Sequence, residues 1–125
     1  MTHRAVAIVG SRDVAPEAAA LVSDFVATLP ADAVVVTGGA RGVDSWAAEC
    51  AHARGIRVVV YPADWKKHGQ RAGLIRNTQI VNDCTELVAC WNGASRGTMD
   101  SVRKARERGI PVRVVRVNQR PPAAR

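Results

Sequence analysis

Ala5-Val6-Ala7-Ile8-Val9-Gly10-Ser11-Arg12, near the start of a chain of 125 residues, is the stretch that decides the fold. Five apolar residues without a polar interruption suit a strand covered on both faces by helices, because a strand with one wet face would alternate. Gly10 closes the run. The turn Gly10-Ser11-Arg12-Asp13 leads to Pro16, a residue at home in the first turn of a helix, and Ala18, Leu21, Val22, Phe25, Val26 and Leu29 then recur at helical spacing until Pro30.

The unit repeats. Val34-Val35-Val36-Thr37 reads as a strand, Gly38-Gly39-Ala40-Arg41-Gly42 as a turn, and residues 44–54 as a helix ended by Gly55, before a third strand over 57–61. The long irregular segment 62–73 reads as a lid or ligand-facing loop. A helix over 74–82, a strand over 87–91, a turn over 92–97, a helix over 98–108 ended by Gly109 and a strand over 112–115 complete the pattern. Strands alternating with helices imply right-handed crossovers and a parallel sheet. The expected fold class is therefore α/β: a single Rossmann-like domain of about five parallel strands with helices on both faces, filling residues 1–116. Residues 117–125, with Pro121-Pro122-Ala123-Ala124, are expected to form a disordered basic tail. This length leaves no room for a separate substrate domain.

The composition is 47% hydrophobic with one Phe and one Tyr, as in layers of Ala and Val packed between helices and a sheet. The first apolar run is too short for a signal-peptide core, and no stretch approaches the roughly 18 apolar residues of a membrane span. A cytoplasmic protein without membrane association is the expectation. Cys50, Cys84 and Cys90 form no CxxC pair and sit in apolar periodic stretches, which reads as buried thiols. His52 reads as a helix-face residue and the sequence shows no cluster of metal ligands around it, so no metal site is expected, and no cofactor is expected either. The formal net charge of +7 and a pI near 10.4 point to an anionic partner: a phosphate compound, nucleic acid or simple counter-ions.

Open α/β sheets bind ligands outside the carboxyl ends of their strands. Three glycine-bearing loops fall there: Gly10-Ser11-Arg12, Gly38-Gly39-Ala40-Arg41-Gly42 and Gly93-Ala94-Ser95-Arg96-Gly97-Thr98. Glycine lets a phosphate approach the backbone amides, and the helix that follows offers free N–H groups and the positive end of its dipole. Each loop carries an arginine, and Arg12, Arg41 and Arg96 are the expected phosphate contacts. Lys66, Lys67, Arg71 and Arg76 add charge to the same edge, whereas Arg103, Lys104, Arg106 and Arg108 read as a solvated helix face. Trp46, Trp65 and Trp91 are each able to stack on a base, although core or interface packing is the more ordinary role of tryptophan. Asp44, Glu49 and Asp100 are the carboxylates placed near the edge, and Asp44 and Asp100 equally suit the capping of helix starts.

Ala7-Ile8-Val9-Gly10-Ser11-Arg12 followed by Thr37-Gly38-Gly39-Ala40-Arg41-Gly42-Val43-Asp44 resembles the paired motif of the SLOG superfamily, which includes the DNA-processing protein A and Lonely guy phosphoribohydrolase families. Arg76-Asn77, Gly97-Thr98-Met99-Asp100-Ser101 and Gly109-Ile110-Pro111-Val112 are closer still to the small stand-alone YpsA-related members of bacteria and phages. The resemblance spans about residues 4–116. It implies a Rossmann-like fold that binds nucleotides or nucleotide-derived ligands, with some members hydrolases and others sensors or DNA-binding proteins. It also implies self-association as a homodimer or higher homo-oligomer. The candidate ligand-binding set is then Gly10, Ser11, Arg12, Gly38, Gly39, Ala40, Arg41, Gly42, Asp44, Arg76, Asn77, Ser95, Arg96, Gly97 and Thr98.

The sequence departs from the hydrolases at one place. Their pattern is Pro-Gly-Gly-x-Gly-Thr-x-x-Glu with a catalytic final Glu, and aligning Gly97-Thr98 with its Gly-Thr puts Ser101 where that Glu belongs. Asp100 stands one residue early, which on a helix turns a side chain by about 100°. Binding of a nucleotide-like phosphate ligand, as in a sensor, is therefore the expected function. Two alternatives stay open: an N-glycosidic hydrolase of nucleoside monophosphates using Asp100 or Glu49, and a DNA-binding module.

Overall fold

The computed structural model describes residues 4–120. Its strands are β1 (Ala5–Gly10), β2 (Val34–Thr37), β3 (Arg57–Val60), β4 (Glu86–Trp91) and β5 (Val112–Arg116). Its α-helices are α1 (Ala18–Ala27), α2 (Val43–Ala53), α3 (Trp65–His68), α4 (Ala72–Asn82) and α5 (Arg96–Arg108), with a 3₁₀ turn at Gly69–Arg71. All four strand pairings are parallel and the sheet order is β3-β2-β1-β4-β5. The chain first moves outward from β1 to β3, so right-handed crossovers put α1 and α2 together on one face. It then crosses back past β1 to β4, and the same handedness puts α4 and α5 on the other face.

The two-sided burial of β1 follows. Val6 and Ile8 join Val22 and Val26 of α1 and Val43 and Ala47 of α2 in one core. Ala7 and Val9 join Ile80 of α4 and Val102 of α5 in the other. An unbroken apolar strand is what such a position requires, since both alternating sets of side chains leave water.

Two stretches differ from the sequence reading. Much of 62–73 is helical: Asp64 accepts from the Lys67 N–H to cap α3, and α4 begins at Ala72 because that side chain packs into the protein interior. Residues 117–120, assigned above to a disordered tail, lie against the segment after β1. Val117 is buried, the Asn118 carbonyl accepts from the Ala15 N–H (2.9 Å), and Gln119 bridges Val14. The rest of that tail, 121–125, lies outside the described residues. Among the described residues no helix is long and apolar enough to cross a membrane.

Candidate functional site

β1 and β4 are neighbours whose following helices pack on opposite faces, so the connections diverge at their carboxyl ends and leave a crevice. A cleft of about 590 Å³ opens there, within the range of small-molecule sites. Gly10, Arg12 and Asp13 line it from the first loop, Ala40 and Asp44 from the second, and Asn92, Ala94, Ser95, Gly97 and Thr98 from the loop after β4. Trp65, Gln70, Gly73, Leu74, Arg76 and Asn77 close one side, and Gln119 and Arg120 reach in from the end of the described chain.

The loops are stitched together below the cleft. Buried Ser11 accepts from the Asn92 N–H (3.1 Å), while Asn92 accepts from the Ala94 and Ser95 N–H groups (2.9 and 3.0 Å) and donates to the Asp13 carbonyl (3.0 Å). Gly42 has φ +79, and a Cβ there would stand 2.8 Å from the carbonyl oxygens of both Ser11 and Arg12. Only glycine allows these two turns to lie so close.

Asp44, in the first turn of α2, gathers the backbone around it. Its Oδ1 accepts from Gly10 N–H (3.1 Å), its Oδ2 from Gly38 N–H (3.0 Å), and the Ala40 N–H bonds it as well. Burial pushes the carboxyl up to about 6, against the pull of the Arg76 charge and of these N–H groups. Arg76 in turn donates from Nη1 to the Gly38 carbonyl (2.8 Å) and from Nε to Asn77 Oδ1 (3.0 Å). Burial lowers its pKa, Asp44 opposes that, and the charge of Arg12 lowers it further. Asn77 Nδ2 donates to the Gly97 carbonyl (3.1 Å) and to Asp100 Oδ2 (3.1 Å). The chain Asp44, Arg76, Asn77 thus ties the starts of α2 and α5 to α4. Ser95 caps α5, accepting from the Thr98 N–H (3.2 Å) and sharing a hydrogen bond with the Thr98 hydroxyl (3.0 Å).

The structure brings most of the candidate set together but not all of it. Gly10, Arg12, Ala40, Asp44, Arg76, Asn77, Ser95, Gly97 and Thr98 line the cleft, while Ser11, Gly38, Gly39 and Gly42 build its frame. Arg41 is exposed and pairs with Asp13 (3.2 Å), and Arg96 points to solvent outside the lining. Asp100 is outside the lining of the cleft, and Lys104 Nζ and Arg103 Nη2 each sit 2.8 Å from it. Partial burial works against its charge, but the bonds from Lys104, Asn77 and Arg103 outweigh that and hold its pKa below the usual carboxylate value. Glu49 is exposed on α2 and contributes nothing to the lining. Sequence reasoning passed over Asn92, whose place between a strand and Gly93 is an Asx-turn signal, and over Arg120, which carries none.

Cys84 and Cys90 are buried, and burial pushes both thiols up to about 11. Cys50 is half-buried. Trp46 packs against the α1–α2 core, and Trp91 donates its indole N–H to the Ser95 carbonyl (3.0 Å) under the Arg116 guanidinium. Among the described residues no group of three or more His, Cys, Asp or Glu side chains is placed to hold a metal ion.

A five-stranded parallel sheet with glycine turns gathered over its switch point defines a single-domain Rossmann-like protein. The chain belongs to the YspA, cpYpsA-related SLOG family, whose model matches residues 4–68. It is 38% identical over 89 residues to the Gene 61 protein of Mycobacterium phage D29, a match covering 66% of this chain and 71% of the phage protein. In fold it is similar to DNA processing protein A of Streptococcus pneumoniae (TM-score 0.77, 21% identity), over 90% of this chain and 50% of that one. The same is true of DNA processing protein A of Helicobacter pylori, described for its single-stranded DNA binding mode (TM-score 0.71, 20% identity, 90% and 65% covered). A third similar structure is TM1055 (TM-score 0.71, 20% identity, 87% and 72% covered). The chain therefore spans half to two thirds of the two DNA-processing proteins.

Proposed function

We propose that the cleft binds a nucleotide or nucleotide-derived phosphate ligand, and that the protein works by binding it. The observation that carries this reading is the placement of Arg76: a half-buried guanidinium on the cleft lining together with Arg12, set against Asp44, whose oxygens already accept from the Gly10 and Gly38 N–H groups. Two guanidiniums sharing one such carboxylate leave positive charge at a concave surface, and a phosphate accepts from both. The α5 N-terminus, with Gly97 and Thr98 on the lining, adds the favourable end of a helix dipole. Isothermal calorimetry with mononucleotides and dinucleotides tests the reading. Binding by the wild type, weakened about ten- to a hundredfold in Arg76→Ala and in Arg12→Ala, is expected. No binding across the panel, or unchanged affinity in Arg76→Ala, would sink it.

Single-stranded DNA is the second reading, favoured by the net charge of +7 and by the single-stranded DNA binding described for the Helicobacter pylori neighbour. Tight oligonucleotide binding that falls steeply with salt, with no mononucleotide binding, would replace the first reading by this one.

A further inference from the structure

The lining of the cleft mixes two chemistries. Arg12, Arg76, Ser95 and Thr98 bring charge and hydrogen-bonding groups to it, while Trp65 and Leu74 bring apolar surface next to Gly73. Trp65 is 52% exposed and Leu74 49% exposed, two of the few large apolar side chains the described surface leaves in water, and both open onto this cleft. The indole lies over the first turn of α4: a Cβ added at Gly73 would stand 3.5 Å from Trp65 Cη2, an ordinary contact distance. The missing side chain leaves that part of the lining open beside the ring. The other two tryptophans are spoken for, Trp46 by the α1–α2 core and Trp91 by its bond to Ser95 and the Arg116 guanidinium.

We propose that Trp65, with Gly73 and Leu74, forms a stacking platform for the planar ring of the ligand, so that the site takes a nucleotide lying with its base on Trp65 and its phosphate toward Arg12 and Arg76. This rests on the nucleotide reading above and adds the base to it. A bare sugar phosphate or inorganic phosphate satisfies the arginines and leaves the apolar platform wet, whereas a base covers it. Every base offers a π-face, so the platform selects for a base without selecting strongly among bases, and purines gain more than pyrimidines by their larger area. Trp65 is then a specificity residue, and α3 exists to hold it: Asp64 caps that single turn and the ring projects from its first residue.

Calorimetry of the full chain with AMP, UMP and ribose 5-phosphate separates this inference from the reading beneath it. AMP is expected to bind more tightly than UMP, and both more tightly than ribose 5-phosphate. Trp65→Ala weakens AMP by about five- to a hundredfold and leaves ribose 5-phosphate unchanged, and Trp65→Phe restores most of the loss. AMP quenching of tryptophan fluorescence in the wild type, absent in Trp65→Phe, is the spectroscopic counterpart. Nucleotide affinity that depends on Arg76 but not on Trp65, or ribose 5-phosphate bound as tightly as AMP, overturns the platform and leaves the phosphate site standing. No binding of any of the three overturns the platform, and the phosphate site falls with it when the rest of the mononucleotide and dinucleotide panel fails as well.

Discussion

Asp44 joins two effects that oppose one another. Its oxygens satisfy backbone N–H groups of both glycine turns, which argues for the carboxylate, yet it is 4% exposed, which argues for the acid. Burial wins part of the contest and raises the pKa from 3.8 to about 6. A folded-state pKa above the unfolded value means that the native protein binds more protons than the unfolded chain between roughly pH 4 and 6. The stability from this group is therefore full below about pH 4 and is lost as pH rises through 6, to an extent of about 3 kcal/mol. Asp44→Asn does not titrate, and it turns an NH₂ toward either Gly10 N–H or Gly38 N–H, at a cost of about 1–3 kcal/mol for the unpaired donor. Urea melts at pH 4 and pH 7 check both statements. The gap between wild type and Asp44→Asn should be wider at pH 4, and an equal gap at the two pH values would mean that the carboxyl titrates at its ordinary value.

At the scale of elements, the glycine turns divide by what they touch. Gly42 and Gly55 both have positive φ, +79 and +72, but an added Cβ meets two carbonyl oxygens at Gly42 and nothing within 4 Å at Gly55. Backbone strain alone is worth about 1–3 kcal/mol, and only Gly42→Ala must also push the first two loops apart. Thermal melts are expected to place Gly42→Ala well below Gly55→Ala, and ligand affinity should fall in the first alone. Equal losses would make Gly42 an ordinary turn. The strands and most helices were legible because their apolar periods are local: Ala5 to Val9 read as a doubly covered strand from five letters. The start of α4 was not, since Trp65 to Gly73 carries no apolar repeat and helicity there is decided by the Asp64 cap and the burial of Ala72. The cleft was legible as three converging loops. Which arginines face it was not, because Arg41 finds Asp13 and Arg76 finds the Gly38 carbonyl through contacts 28 and 38 residues apart in sequence. Arg120 was hidden by the prolines that follow it.

For the molecule as a whole, the question is whether a cleft so placed also performs chemistry. Breaking an N-glycosidic bond needs a carboxylate that activates water or stabilises an oxocarbenium ion beside the bound sugar. Among the described residues the carboxylates lining the cleft are Asp13 and Asp44. Asp13 is exposed and paired with Arg41, and the oxygens of Asp44 are already taken by N–H groups of its own loops. Asp100 is held charged between Lys104, Arg103 and Asn77, a structural brace between α4 and α5 rather than a group free to exchange protons. Ser101, standing where the hydrolase pattern has its Glu, lines the cleft without a charge. We therefore expect no release of free base from AMP, GMP or CMP, followed by chromatography over hours at high enzyme concentration. Release abolished by Asp100→Asn would overturn this and require the brace to open during turnover. Release that survives Asp100→Asn but is lost in Glu49→Gln would demand a second copy or a rearranged α2, because Glu49 faces solvent in the single chain.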